Sequence, residues 1–123
     1  MRWYRLAAEQ GLALAQLSLG VMYGTGAGVP EDDAEAVRWW RLAAEQGNAR
    51  AQFNLGVSYD NGEGVPQNDV QAHMWSNLAA SRLTGDDRET AAELRDRARA
   101  RMTPEQIADA QRLAREWDEA HPR

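Results

Sequence analysis

Apolar residues along this chain recur at intervals of three and four, the spacing that gathers them on one side of a helix. Ala36, Trp39, Leu42 and Ala43 form one such stripe, expected to face a core. Ala72, Trp75, Leu78 and Ala79 repeat it 36 residues later. A second helix between them has Ala51, Leu55 and Tyr59 as its inner face, and Ala15, Leu19 and Tyr23 are its earlier copy. Very short turns join the two helices of a unit, so the pair must pack antiparallel.

The residues between helices agree with this division. Asp32 with Glu35, and Asn68 with Gln71, put a cap residue three places before an acid or amide, the pattern of a capping box. Gly11 and Gly47 end the first helices, where a left-handed residue is needed. Gly20 and Gly56 fall mid-helix at a cost of about 1 kcal/mol each, so they are expected where helices approach closely. Val29 and Val65 are expected to plug the gap between units, and Pro30 and Pro66 to end what precedes them.

Sliding Trp3–Arg38 onto Trp39–Met74 matches about 20 of 36 positions, and a third start falls at Trp75. A period of this length predicts stacked helix pairs, each burying its apolar face against a neighbour. The third unit departs from the pattern. Its first helix is expected from about Asn68 to Arg82, with Gly85 arriving late and Asp86 with Glu89 offering a further capping box. Leu94, Ala98 and Met102 line one side of the next helix. Thr103-Pro104-Glu105-Gln106 is the strongest helix start in the chain. The last helix should turn Ile107, Ala110, Leu113, Ala114 and Trp117 inward and Asp109, Arg112 and Glu116 outward, as a capping helix would. The expected organisation is one all-α domain over 1–123: repeat one at 3–38, repeat two at 39–74, an irregular third at 75–102, and a capping helix at 103–120.

Two copies of one pattern carry a resemblance. Trp3, Ala7, Ala8, Gly11, Ala15, Gln16, Leu19, Gly20, Tyr23, Gly26, Gly28 and Val29 recur as Trp39, Ala43, Ala44, Gly47, Ala51, Gln52, Leu55, Gly56, Tyr59, Gly62, Gly64 and Val65. This pattern resembles the Sel-1-like repeat family, relatives of the tetratricopeptide repeats. The resemblance implies an α/α superhelical solenoid whose first helices line a concave, protein-binding surface. It also implies an adaptor or scaffold role, in a family with many bacterial and exported members. The first helix of unit one is cut short at Met1, so the N-terminal end face is expected to be uncovered.

Composition narrows the function classes. A net charge of −5 argues against a nucleic-acid binder. The absence of cysteine excludes disulfides, thiolate metal sites and a cysteine nucleophile. No apolar run approaches the roughly 20 residues that span a bilayer. The N-terminus lacks the apolar centre of a signal peptide and begins inside a repeat, which leaves open whether Met1 is a native start or the edge of a fragment. The compartment stays open between cytoplasm and export.

No catalytic constellation emerges. The glycine loops lack the preceding strand of a phosphate cradle, and no lysine follows them. Asp60-Asn61-Gly62-Glu63-Gly64 lacks the ligand spacing of a calcium loop. His73 and His121 stand far apart in sequence with no ligand pair nearby, and His73 is expected to be a satisfied interface residue. Arg95, Arg97, Arg99 and Arg101 fall on opposing sides of a helix and should be solvated, with Glu93 within reach of Arg97. The chain is therefore expected to be no enzyme and to hold no cofactor or metal, with a hydrolase as a remote alternative.

The candidate site is the remaining side of the first helices. If these line the groove, Arg5, Arg38, Arg41, Glu45, Met74 and Asn77 face the partner. Guanidinium groups there suit a carboxylate or acidic segment. Tyr4, Trp40 and His73 fall on another side of the first helices, expected at the end face or between repeats. The leading expectation is a module binding a peptide or protein segment, of unstated identity, and neither nucleic acid nor membrane. The alternative is the structural end of a longer scaffold that self-associates through its N-terminal face.

Overall fold

The computed structural model describes residues 2–122. These form seven helices and, among the described residues, no strand: α1 (Arg2–Glu9), α2 (Ala13–Thr25), α3 (Asp33–Glu45), α4 (Ala49–Asn61), α5 (Asp69–Arg82), α6 (Gly85–Arg99) and α7 (Pro104–Ala120). Odd and even helices up to α6 alternate as the first and second members of antiparallel pairs, giving a helix-pair solenoid. Each second helix also packs on the first helix of the following pair, α2 on α3 and α4 on α5, so apolar burial continues from one pair to the next in successive clusters.

The pairs are held by repeated polar ties as well as by apolar burial. Gln16 and Gln52, buried in the second helices, donate to the Ala8 and Ala44 carbonyls at the ends of their partner helices. These bonds satisfy carbonyls that a helix end leaves unpaired. The loops close through Asp32 N–H to the Tyr23 carbonyl and Asn68 N–H to the Tyr59 carbonyl, at 2.9 and 3.0 Å.

The caps differ in detail from the spacing. Asp32 and Asn68 do cap α3 and α5, accepting from the Glu35 and Gln71 amides. Neither box closes, because Glu35 pairs with Arg38 and Gln71 accepts from the Trp75 indole instead. Thr103 and Gln106 make both halves of theirs. The Asp86–Glu89 box does not form: α6 starts two residues earlier, at Gly85 after Thr84, which places Asp86 inside the first turn.

Glycine at the second-helix midpoint has the reason expected, close approach. A Cβ on Gly20 would fall 2.4 Å from the Trp40 indole, and one on Gly56 would fall 3.3 Å from Leu94 and from the Ser76 backbone.

The core departs from the predicted stripes in two places. Trp39 and Trp75 are buried, but Trp3 is 68% exposed, because the helices that cover each later tryptophan belong to the repeat before it. Leu42 is likewise exposed although Leu78, its counterpart, is buried. The reason is α7. This helix folds back on α5 and buries Ala110, Ala114 and Trp117, with Trp117 edge-on to Trp75 at 6.1 Å. Arg82 closes over the Trp117 ring and pairs with Asp118 at 3.0 Å.

The irregular third repeat is anchored by a buried charge. Asp60, near the end of α4, accepts from Arg97 at 2.7 Å and from Arg101, which also reaches Asp69 at 2.8 Å. Three of the four arginines expected to be solvated are thus cross-helix ties: Arg95 and Arg97 on α6 reach α5 and α4, Arg101 just after α6 reaches both, and Arg97 bonds to Asp60 instead of Glu93. Burial alone would raise the Asp60 pKa, but the hydrogen bonds and charges of Arg101 and Arg97 outweigh it and hold the carboxyl below its usual range.

Candidate functional site

The face predicted for binding resolves into residues already committed and residues left open. Arg5 donates to the Tyr23 hydroxyl and Arg41 to the Tyr59 hydroxyl, each tying a first helix to the second helix of its own pair. The third pair keeps the register and inverts the donor: Arg95 on α6 donates to Asn77 on α5 at 3.4 Å. The same positions therefore serve as tethers three times over. Arg41 also sits 5.6 Å from the centre of the Tyr59 ring.

Arg38 is the cation of this set that stays largely exposed. Its side chain lies over the Trp39 ring at 4.4 Å and pairs with Glu35 one turn back at 3.3 Å. Glu45 accepts from the Trp117 indole nitrogen at 3.3 Å, so the end of α7 reaches the end of α3. Met74 is not on the surface: it is 6% exposed and belongs to the same apolar cluster as Trp75, Ala98 and Ala114. Its placement in the groove is corrected by the helices α6 and α7, which its own stretch of sequence does not announce.

The residues expected at the end face or between repeats separate as well. Tyr4 is half-buried with its ring edge-on to Trp3 at 5.1 Å. The Trp40 indole runs along α2 from Gly20 to Gly24. His73 is fully buried, yet neither ring nitrogen has a hydrogen-bond partner, so it is an interface histidine but not a satisfied one. Burial lowers its pKa, the nearby Arg95 and Arg99 lower it further, and Asp96 opposes them, which keeps the ring neutral.

Sequence reasoning missed the leucine series on the first helices. Leu6 is 52% exposed, Leu42 41% and Leu78 1%, at equivalent positions. Only the last has α7 over it. Leu42 and Arg38 are one turn apart on α3, so an apolar side chain and an exposed guanidinium share one patch. Asp60 was missed too. The available signal was the change from Gly24 to Asp60 at one register, with Arg97 and Arg101 one helical turn apart.

Among the described residues no group of three or more metal-ligating side chains gathers. None of their helices is long and apolar enough to cross a membrane.

Comparison with known proteins agrees with the architecture. The Sel1 repeat profile matches residues 1–12, 13–48 and 49–82. The chain is similar to the crystal structure of c5321, a protective antigen of uropathogenic Escherichia coli strains displaying an SLR fold. That match has 36% identity and a TM-score of 0.87, and covers 96% of this chain and 25% of the antigen. It is also similar to a Sel1 repeat protein from Oxalobacter formigenes, with 38% identity and a TM-score of 0.70, covering 75% of this chain and 69% of that one. No curated protein matches. A profile spanning residues 1–82, over helix pairs with the tethers just described, places this chain in the Sel1 repeat family.

Proposed function

We propose that this chain is a non-enzymatic interaction module that takes a helical segment of a protein partner along its first helices, at Leu6, Arg38 and Leu42. Helix-pair repeats of this kind are generally used for protein–protein contact. The observation that carries the reading is the leucine series: α7, an amphipathic helix, covers Leu78, while its equivalents stay exposed. A partner helix continuing the line of α7 buries the same register on α3 and α1. Arg38 favours an acidic residue at its edge.

Panning a displayed library of helical peptides tests this. Enriched peptides should carry apolar residues spaced by three and four, with an acidic flank. Their affinity should fall at least about tenfold for Leu42→Asp, the loss expected from one buried leucine. Enrichment indifferent to Leu42→Asp and Leu6→Asp overturns the reading.

A second reading rests on Trp3, exposed where Trp39 and Trp75 are buried, and on Leu12 and Leu14, exposed in the same helix pair. Here the α1 end stacks on another repeat unit or on a second copy. Light scattering coupled to size exclusion separates the two. Dimers that grow with concentration favour stacking, and a monomer at high concentration counts against it.

A further inference from the structure

The furrow between the second helices α2 and α4 holds a cavity of about 330 Å³, on a side of the array the first-helix reading does not use. Trp40 lines it from α3, held in place by the close fit of its indole over Gly20 and Gly24. Val21 stands on one wall, Phe53 and Val57 on the other. Asp33 and Glu63 are the only ionisable groups in the lining.

This is not a generic groove of the repeat. One period later, between α4 and α6, Ser76 replaces Trp40, Glu89 replaces Phe53, Glu93 replaces Val57 and Leu94 replaces Ser58. Leu94 packs into that second furrow, 3.3 Å from where a Cβ on Gly56 would sit. Asp60, which replaces Gly24, is held there by Arg97 and Arg101. The later furrow is plugged by a leucine and crossed by ion pairs. The earlier one has the Trp40 indole over its glycine and Ser58 at the leucine's position, and beyond the indole it stays open, aromatic and acidic.

We propose that this furrow is a second binding site, which takes a leucine-sized side chain of a protein partner flanked by basic residues. The apolar walls of Val21, Trp40, Phe53 and Val57 suit an aliphatic side chain of about that size. The paired carboxylates, with no cation in the lining, select positive flanks. Aromatic and aliphatic walls with a few polar groups are the ordinary make-up of such a pocket.

The probe is a synthetic peptide, Gly-Ser-Leu-Arg-Arg-Ser-Gly, titrated into the isotopically labelled chain. The readout is the Trp40 indole N–H resonance, assigned through Trp40→Phe. The expected result is a saturable shift that disappears when the leucine becomes serine or the arginines become glutamates. Ser58→Leu should plug the cavity, and Val21→Asp should spoil its exposed wall without touching the core. Each should weaken binding at least about tenfold. Absence of a saturable shift up to the peptide's solubility limit overturns the proposal. So does equal affinity in Val21→Asp, which reads the site even if Ser58→Leu fails to fold. Self-association of the chain that Val21→Asp abolishes would assign the furrow to a second copy and also overturn it.

Discussion

Arg41 on α3 donates to the hydroxyl of Tyr59 on α4, and the pair Arg5–Tyr23 does the same one period earlier. In the third unit Asn77 and Arg95 occupy the same two positions and bond with the charge on the other helix. A cross-helix tether is thus a recurring part of the repeat, and only its donor changes sides. It removes Arg5 and Arg41 from the free binding surface and leaves Arg38 as its exposed cation.

Arg41→Ala should therefore destabilise the fold, by about 1.5–3 kcal/mol, the range for a hydrogen bond to a charged group. Arg38→Ala should change stability by less than about 0.5 kcal/mol, since its pair with Glu35 is exposed. Thermal unfolding followed by circular dichroism checks both. Equal effects would mean that the tether contributes nothing.

Asp60→Asn should cost about 2–3 kcal/mol, because a buried carboxylate loses its charge while Arg97 and Arg101 remain in place. The pH dependence has a definite sign. The folded pKa is lowered from 3.8, so the stabilisation is complete above that value and lost as pH falls through the lower folded pKa. In denaturant unfolding, the acid limb of stability against pH should flatten in Asp60→Asn.

His73 acts in a higher window. Its folded pKa is lowered from 6.5, so the buried ring resists the proton that the unfolded chain accepts. Stability should be full above pH 6.5 and decline as pH falls from there toward the folded value. Arg95 and Arg99 steepen that decline and Asp96 softens it. Val37 holds the same register one repeat earlier, so His73→Val should remove the slope in this window, as read from urea midpoints between pH 7 and pH 5. A slope that persists would place its origin in another group.

Trp117→Ala should cost about 3–5 kcal/mol and loosen α7 first, since the indole joins Trp75, Arg82 and Glu45. Hydrogen exchange should show α7 amides opening before those of α3 and α4. Uniform exchange across the chain would mean that α7 does not open as a separate unit.

Much of the architecture was legible in local signals. The 36-residue period, the Asp32, Asn68 and Thr103 caps, and the close approaches at Gly20 and Gly56 are properties of short stretches. Helical spacing and terminal capping depend on neighbours a few residues away, so they can be read one turn at a time. The face of α3 was legible only in part. Arg38 could be placed outward by its register, but the tie from Arg41 to Tyr59 spans 18 residues and crosses between helices.

What only the tertiary structure decided is which of several equivalent residues is covered. Leu6, Leu42 and Leu78 share one register, as do Trp3, Trp39 and Trp75, and nothing local distinguishes the members of either set. Leu78 is buried because α7 returns to α5 from more than 20 residues away, and Trp3 is exposed because no helix packs on its side of α1 as α2 packs on α3. Burial is settled by what arrives from elsewhere in the chain, and a repeat spells out the same side chain whether or not a neighbour arrives to cover it.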